Sequence, residues 1–343
     1  MYKNKDKGFI TILSLLVMAI ILISSMFLNY SSNIEYMIVN SSKNNTQALY
    51  LVEGKILTVI NNPKYFDNII LPGVKEFFKY GRIKDDNKRH IILDNEDLIE
   101  GDNYKKVNLS FYREENRIIL ELQTNSTYNN IKRNGVAKLT VVNEIFERGI
   151  PIIFPSGLEE KDKLYKEYME YLQREIYIPP LEENMMAVEI DNYEIINILK
   201  KIDGRTYIEL YRNDIKYPIK KYCLDRDKIF LLVKNDTQKN INVNILSDKP
   251  GEVVKLNGII YIEGDFRIYT NVEFSGIAII NDGNINVESD SKLKIKGILL
   301  VDDGEKLLDD EKIDIEYDFD DIKNTGIYLP GFIDFRIKSI NIY

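Results

Sequence analysis

The side chains able to do covalent or metal chemistry are few. The 343-residue chain has one cysteine, Cys223, and one histidine, His90. These counts exclude a Cys/His zinc site, and they leave a Ser-His-Asp triad only if it uses His90. That residue sits in Lys88-Arg89-His90, a charged connector where a solvated imidazole is expected. One cysteine also means no internal disulfide, so a domain outside the cytoplasm must hold its fold by packing alone. Carboxylates remain. Residues 302–321 hold eleven acids against two lysines, a local charge of −9 in a chain of net charge −8. Asp302-Asp303, Asp309-Asp310-Glu311 and the group Asp318, Asp320 and Asp321 offer hard oxygen ligands suited to Ca²⁺, without the D-x-[DN]-x-[DN]-G spacing. A solvated acidic loop is the expectation. The chain has no P-loop and no G-x-S-x-G. Outside the acidic segment the charge is close to neutral, with no basic stripe suited to nucleic acid. No enzyme, metal or cofactor is expected.

The elements that carry these residues begin with an apolar run. Phe9 to Leu28 contains no charged residue. As a helix it spans about 30 Å, the thickness of a bilayer's hydrocarbon core. Its hydroxyls, on Thr11, Ser14, Ser24 and Ser25, are satisfied by the helix's own carbonyls. In front stand Lys3, Lys5 and Lys7 against Asp6, so the leader stays cytoplasmic and the chain beyond Leu28 lies outside. Three readings fit. A cleaved secretory signal has a shorter apolar region and a small-residue site, and Asn29-Tyr30-Ser31 is a poor one. An uncleaved signal anchor is the second. The third comes from the junction itself: a short basic leader, then Gly8, then Phe9, with the apolar helix starting at once.

That junction resembles the prepilin leader of type IV pilins and type II secretion pseudopilins. The resemblance implies a peptidase that cuts after Gly8 and methylates Phe9. The family usually has Glu at the fifth residue after the cut, where this chain has Leu13; PilX-type minor pilins and the K-type minor pseudopilin commonly lack it. A second resemblance lies at Ala48-Leu-Tyr-Leu-Val-Glu53-Gly54, similar to the segment where the helix of PilX-type pilus assembly proteins enters its head. The implied partners are other pilin subunits, membrane lipid and the prepilin peptidase.

Periodicity carries the helix past the membrane. Ile34, Met37/Ile38, Ser41, Asn45, Ala48/Leu49, Val52, Ile56 and Val59/Ile60 keep a period near 3.6. Asn61-Asn62-Pro63 ends it. Residues 64–104 are mixed and stay unassigned. Val107–Tyr112 and Arg117–Gln123 then read as a hairpin over Glu114-Glu115-Asn116. A small-residue turn, Asn125-Ser126-Thr127-Tyr128, precedes Arg133-Asn134-Gly135 and a strand Val136–Ile145, a pattern that looks like a pilin head. Pro151 to Gly157 reads as a boundary. Leu164/Tyr165, Tyr168, Tyr171/Leu172 and Ile176 mark an amphipathic helix whose tyrosines either pack on their own domain or form a recognition face. Strands are expected around Thr206–Tyr211, Lys228–Val233 and Ile241–Ile245.

The C-terminal part contains a repeat. Gly258-Ile-Ile-Tyr-Ile-Glu-Gly264 is echoed from Gly276 to Gly283 and again from Gly297 to Gly304. The spacing fits rungs of a β-solenoid with parallel stacked strands, their apolar residues pointing into the stack and glycines at corners needing positive φ. An ordinary β-meander is the alternative. The alternating tail Ile333, Phe335, Ile337 and Ile340 is expected to cap the last rung.

The sequence therefore predicts an α+β protein with a long N-terminal helix, an antiparallel β head and a short C-terminal β-solenoid: leader 1–8, a transmembrane and extended helix 9–62, a pilin-like α+β head 63–150, an α+β insert 151–249, and a short β-solenoid with its cap 250–343. The expected function is a minor pilin or pilus assembly component, single-pass in the cytoplasmic membrane with an extracellular C-terminal region. The alternative is a signal-anchored surface β-solenoid binding cell-wall or host polysaccharide.

Overall fold

The computed structural model describes residues 5–343 except 116, 156, 158, 214, 227 and 236–239. The first half of the basic leader thus lies outside the described residues. The fold is α+β, with one long N-terminal apolar helix and several sheets.

Helix α1 runs unbroken over Lys5–Asn61. It stops where Asn62 is held extended by the following Pro63 and its side chain accepts from Lys64 N at 3.0 Å. Helix α2, Leu71–Tyr80, occupies part of the segment without a clear period and closes on Gly81 at φ 69°. Four strands come next: β1 His90–Ile92, β2 Lys106–Glu114, β3 Arg117–Tyr128 and β4 Ile131–Val142. They form an antiparallel sheet across which Ala48, Val52, Ile56 and Val59 of α1 are buried. The β2–β3 hairpin lies where the sequence puts it, with Glu115 at φ 58°. The next turn does not. Residues 125–128 continue β3, and the chain reverses at Asn129-Asn130, φ 44° and 67°. Asn tolerates the left-handed conformation that two-residue hairpins need, so that pair wins over the small residues before it.

Beyond β4 come β5 Ile152–Ile153, helix α3 Glu159–Glu175, and β6 Met185–Ile190, β7 Ile195–Lys200, β8 Thr206–Tyr211 and β9 Lys220–Leu224. After them lie β10 Lys228–Val233, β11 Asn242–Ser247, β12 Val253–Glu263, β13 Asp265–Ile268, β14 Asn271–Asn281, β15 Ile285–Val287, β16 Leu293–Val301 and β17 Ile313–Glu316. Helix α4, Phe319–Gly326, and β18, Ile333–Ile342, complete the fold.

From β10 to β16 successive strands alternate between two parallel sheets. One has the order β17-β16-β14-β12-β10-β6, with β5 beside the far half of β16. The other has β15, β13, β11 and β7 in parallel, extended by β8 and β9 in antiparallel. The three repeats pair in parallel and in phase: Gly258, Gly276 and Gly297 are partners, as are Ile259, Ile277 and Ile298. An antiparallel meander is excluded for these strands. Because β6, β7, β10 and β11 belong to the same two sheets as β12 and β13, both sheets run across residues 249/250.

Over the repeats, from Gly258, Gly276 and Gly297 onward, the first parallel sheet is buried on both faces. Ile260 and Ile262 face the core between the two parallel sheets, whereas Ile259 and Tyr261 face a second core shared with α1, α2, α3, α4 and the antiparallel sheet. Two-sided burial explains why each repeat is a continuous apolar run and not an alternating one. It also corrects the expectation that the apolar residues point only into the stack. The tail is a further correction. Strand β18 does not cap the last repeat but pairs antiparallel with β4 as the fifth strand of the antiparallel sheet. Its alternation satisfies either site, and β4 offered the unpaired edge.

Candidate functional site

The N-terminal junction lies inside α1. Gly8 has open space where a Cβ would stand. Phe9 is 68% exposed, and Leu13, at the place where the resemblance puts Glu, is half-exposed. The apolar half of α1 is long and apolar enough to cross a membrane, and none of it is buried within the chain. Exposed apolar side chains continue to Val39, past the stretch of membrane length. By length and composition such a helix is compatible with a membrane anchor or a signal.

The other half of α1 is closely seated. Asn45 Oδ1 accepts from Arg133 Nε at 2.7 Å, and Asn44 Oδ1 accepts from Asn129 Nδ2 at 3.1 Å. From there Ala48, Leu51, Val52, Ile56 and Val59 are fully buried. Glu53 is half-buried on the flank. Gly54 permits Ile99 to lie against the helix, and Gly135 does the same for Val52; a Cβ on either glycine would overlap that side chain. Between them sits a residue that sequence reasoning missed. Lys55 is buried, donates to the carbonyls of Tyr104 and Asn125 (2.8 Å to the latter), and pairs with Asp102. Burial lowers the Lys55 pKa, and the Asp102 carboxylate partly offsets that. Its fit within the i, i+3, i+4 buried face from Leu51 to Val59 was the available signal.

The glycines of the repeat divide into two groups. Gly258, Gly264, Gly276 and Gly297 have positive φ, between 125° and 146°. Gly283 and Gly304 do not, which corrects their assignment as positive-φ corners. Gly283 is needed because a Cβ there would overlap the Gly264 carbonyl; Gly304 precedes a short helix and lies against the Phe154 ring. At Gly276 and Gly297 a Cβ would likewise overlap the carbonyl of the preceding repeat's glycine.

The acidic segment is spread over several elements. Asp302 accepts from Asp282 N at 2.8 Å and meets the Tyr165 hydroxyl; burial raises its pKa. Asp318 caps α4 and pairs with Lys296 at 2.9 Å, which lowers its pKa. Asp314 faces Lys294. Among the described residues no three His, Cys, Asp or Glu side chains come together in a metal-binding group. Two of the three tyrosines of the α3 stripe pack inward: Tyr165 donates to Val301 O at 2.7 Å and Tyr168 to Pro330 O at 3.2 Å, whereas Tyr171 is exposed. His90 begins β1 and is half-buried, and Cys223 is a free thiol in β9. No family model matches the chain, and no curated protein or solved structure matches it.

Proposed function

We propose that this chain is a structural minor pilin or pilus assembly component of the PilX type, in a type IV pilus or related secretion filament. It is anchored in the cytoplasmic membrane by α1 with its C-terminal region outside. The observation that carries the reading is the division of α1. Its apolar half follows a Gly8-Phe9 junction and is uncovered, while its second half is fixed into the head. A helix built this way packs among equivalent helices, first in lipid and then in a filament core. The parallel sheets are read as a short β-solenoid carried by the head.

Leu13 then has a consequence. A carboxylate at that place would neutralise a neighbouring subunit's N-terminal amine in a low-dielectric core. This chain offers an amine and no carboxylate, which suits a subunit present in few copies, at a tip or in an initiating complex.

N-terminal mass spectrometry of the membrane fraction tests the proposal. In cells that make a prepilin peptidase, the mature protein should begin at N-methylated Phe9, and Gly8→Val should block the cut. A wild-type protein that keeps residues 1–8 sinks the filament reading and favours a signal-anchored surface module.

A further inference from the structure

The first parallel sheet ends at β6, and no strand lies beyond it among the described residues. The second sheet does not end at the same level. There β7, which follows β6 in the chain, is extended outward by β8 and β9. This hairpin therefore overhangs the first sheet by two strands, and Tyr222 and Leu224 on its inner face are half-buried. The hydrogen-bond ladder shows what β6 leaves open. Lys228 N donates to Asn184 O at 3.2 Å and Lys234 N to Ile190 O at 3.0 Å. In the parallel register between β10 and β6, residues 184, 186, 188 and 190 turn their backbone groups toward β10. Residues 185, 187 and 189 turn theirs away. Met185 is satisfied locally: its N–H donates to Glu182 O at 3.0 Å, and its carbonyl accepts from Arg226 Nη1 at 3.0 Å. Ala187 and Glu189 are exposed, each with an N–H and a C=O directed to the open edge.

Folds usually blunt such an edge with bulges, lysines or proline. Strand β18 has two register shifts and the exposed Arg336 and Lys338, and β9 carries Lys220 and Lys221. Strand β6 pairs without a shift and contains no Lys, Arg or Pro. The charge around it has one sign: residues 175–199 hold six acids and no Lys or Arg. Glu182 is paired with Lys79 at 2.8 Å, but Glu183, Glu189 and Asp225 are exposed and have no ion-pair partner among the described residues. Glu183 and Asp225 line a cleft of about 510 Å³ beside Met186 and Ala187, with Arg226 as its one cation among the described residues. A row of open N–H and C=O groups is matched by another peptide backbone. On a strand laid there, the side chains beside Val188 and Ile190 enter the core between the parallel sheets, toward Tyr222 and Leu224. The alternate side chains stand beside Glu189, where a cation is favoured.

We propose that the open edge of β6 accepts one extended strand of another polypeptide, alternating apolar and basic residues. A second copy of this chain does not fit. The opposite end of the sheet, β17, carries Asp314 and Glu316, so copies stacked end to end set acid against acid, and β6 against β6 does the same with Glu189. The full-length protein in detergent micelles is to be titrated with three short synthetic peptides: one alternating valine and lysine, its valine–glutamate counterpart, and the valine–lysine peptide N-methylated throughout its backbone. The first should bind and the other two should not. Ala187→Pro removes an open N–H and sets a ring on the edge, a change that edge strands tolerate, so binding should fall about tenfold or more while the unfolding midpoint stays close to wild type. Glu189→Lys should weaken binding to a similar degree. Glu305→Lys, the same charge change after β16 at the other end of the sheet, should not. Where Ala187→Pro lowers the midpoint, Glu189→Lys and the N-methylated peptide carry the test. No binding of the valine–lysine peptide, equal binding of its N-methylated form, equal loss from Glu305→Lys, or self-association that Ala187→Pro abolishes would each overturn the proposal. Processing at Gly8 does not affect these readouts, so this proposal and the filament reading fail separately.

Discussion

Lys55 Nζ lies 2.7 Å from Asp102 Oδ2, with both side chains 1% exposed. This buried ion pair ties α1 to the loop before β2. Removing one partner leaves the other charge without compensation in a low-dielectric site. Lys55→Met is therefore expected to destabilise the fold by about 3–5 kcal/mol, and Lys55→Met with Asp102→Leu by less than the single change. Urea unfolding of the full chain in detergent measures both. An unchanged midpoint for Lys55→Met would contradict the latch.

The glycine row of the repeats makes a second prediction. At Gly276 a side chain would meet both the backbone of Gly258 and an unfavourable φ of 125°. Gly276→Ala should cost about 4 kcal/mol or more, the range of severe backbone strain and overlap. Gly149→Ala, with open space around its Cβ site, should cost only its positive-φ penalty of about 1–2 kcal/mol. Equal thermal shifts for the two would show that close strand approach is not the cause.

Two-sided burial of the first parallel sheet makes a third. Ile279 and Ile280 are adjacent and fully buried, but they face different cores. Ile279→Asp and Ile280→Asp should both be severely destabilising, by several kcal/mol (order of magnitude), since either buries a carboxylate. A sheet with one face in water would tolerate one of them, so a well-folded single variant of either kind refutes the arrangement.

Alkaline pH should unfold the protein. Tyr317 donates to Phe146 O at 2.8 Å, and burial first, then the Glu147 charge, push its pKa from 10.0 up to about 12. Tyr165, Tyr168 and Tyr261 are pushed higher still, burial again being the main cause. Above pH 10 the unfolded chain loses these protons first, so it binds fewer than the folded chain. Stability is therefore full below pH 10 and falls as pH rises toward 12 and beyond. Tyrosinate absorbance should rise in step with loss of the circular dichroism signal, and Tyr317→Phe should reduce the loss between pH 10 and 12. Complete titration near pH 10 of a still-folded protein would refute this.

Local patterns were readable and distant pairings were not. The 3.6 period from Ala48 to Val59 located the seated face of α1, and the spacing of Gly258, Gly276 and Gly297 located parallel partners, because each pattern repeats within one element or unit. Lys55 was missed because a lysine on a helix is ordinarily solvated, and its partner Asp102 is distant in sequence. The position of β18 was missed because an alternating strand specifies one buried face and not the neighbour that buries it.

The pairing of β18 with β4 has a topological consequence. Asn143 N donates to Phe332 O at 2.8 Å, so residues 143–332 leave and rejoin the antiparallel sheet at two adjacent strands. That long excursion is closed at the sheet by one backbone pairing and packs back against it through the shared core. Helix α1 packs on β3, β4 and β18, the strands at which the excursion is closed. The chain between residues 143 and 332 can therefore vary in length without changing the register of β4 and β18.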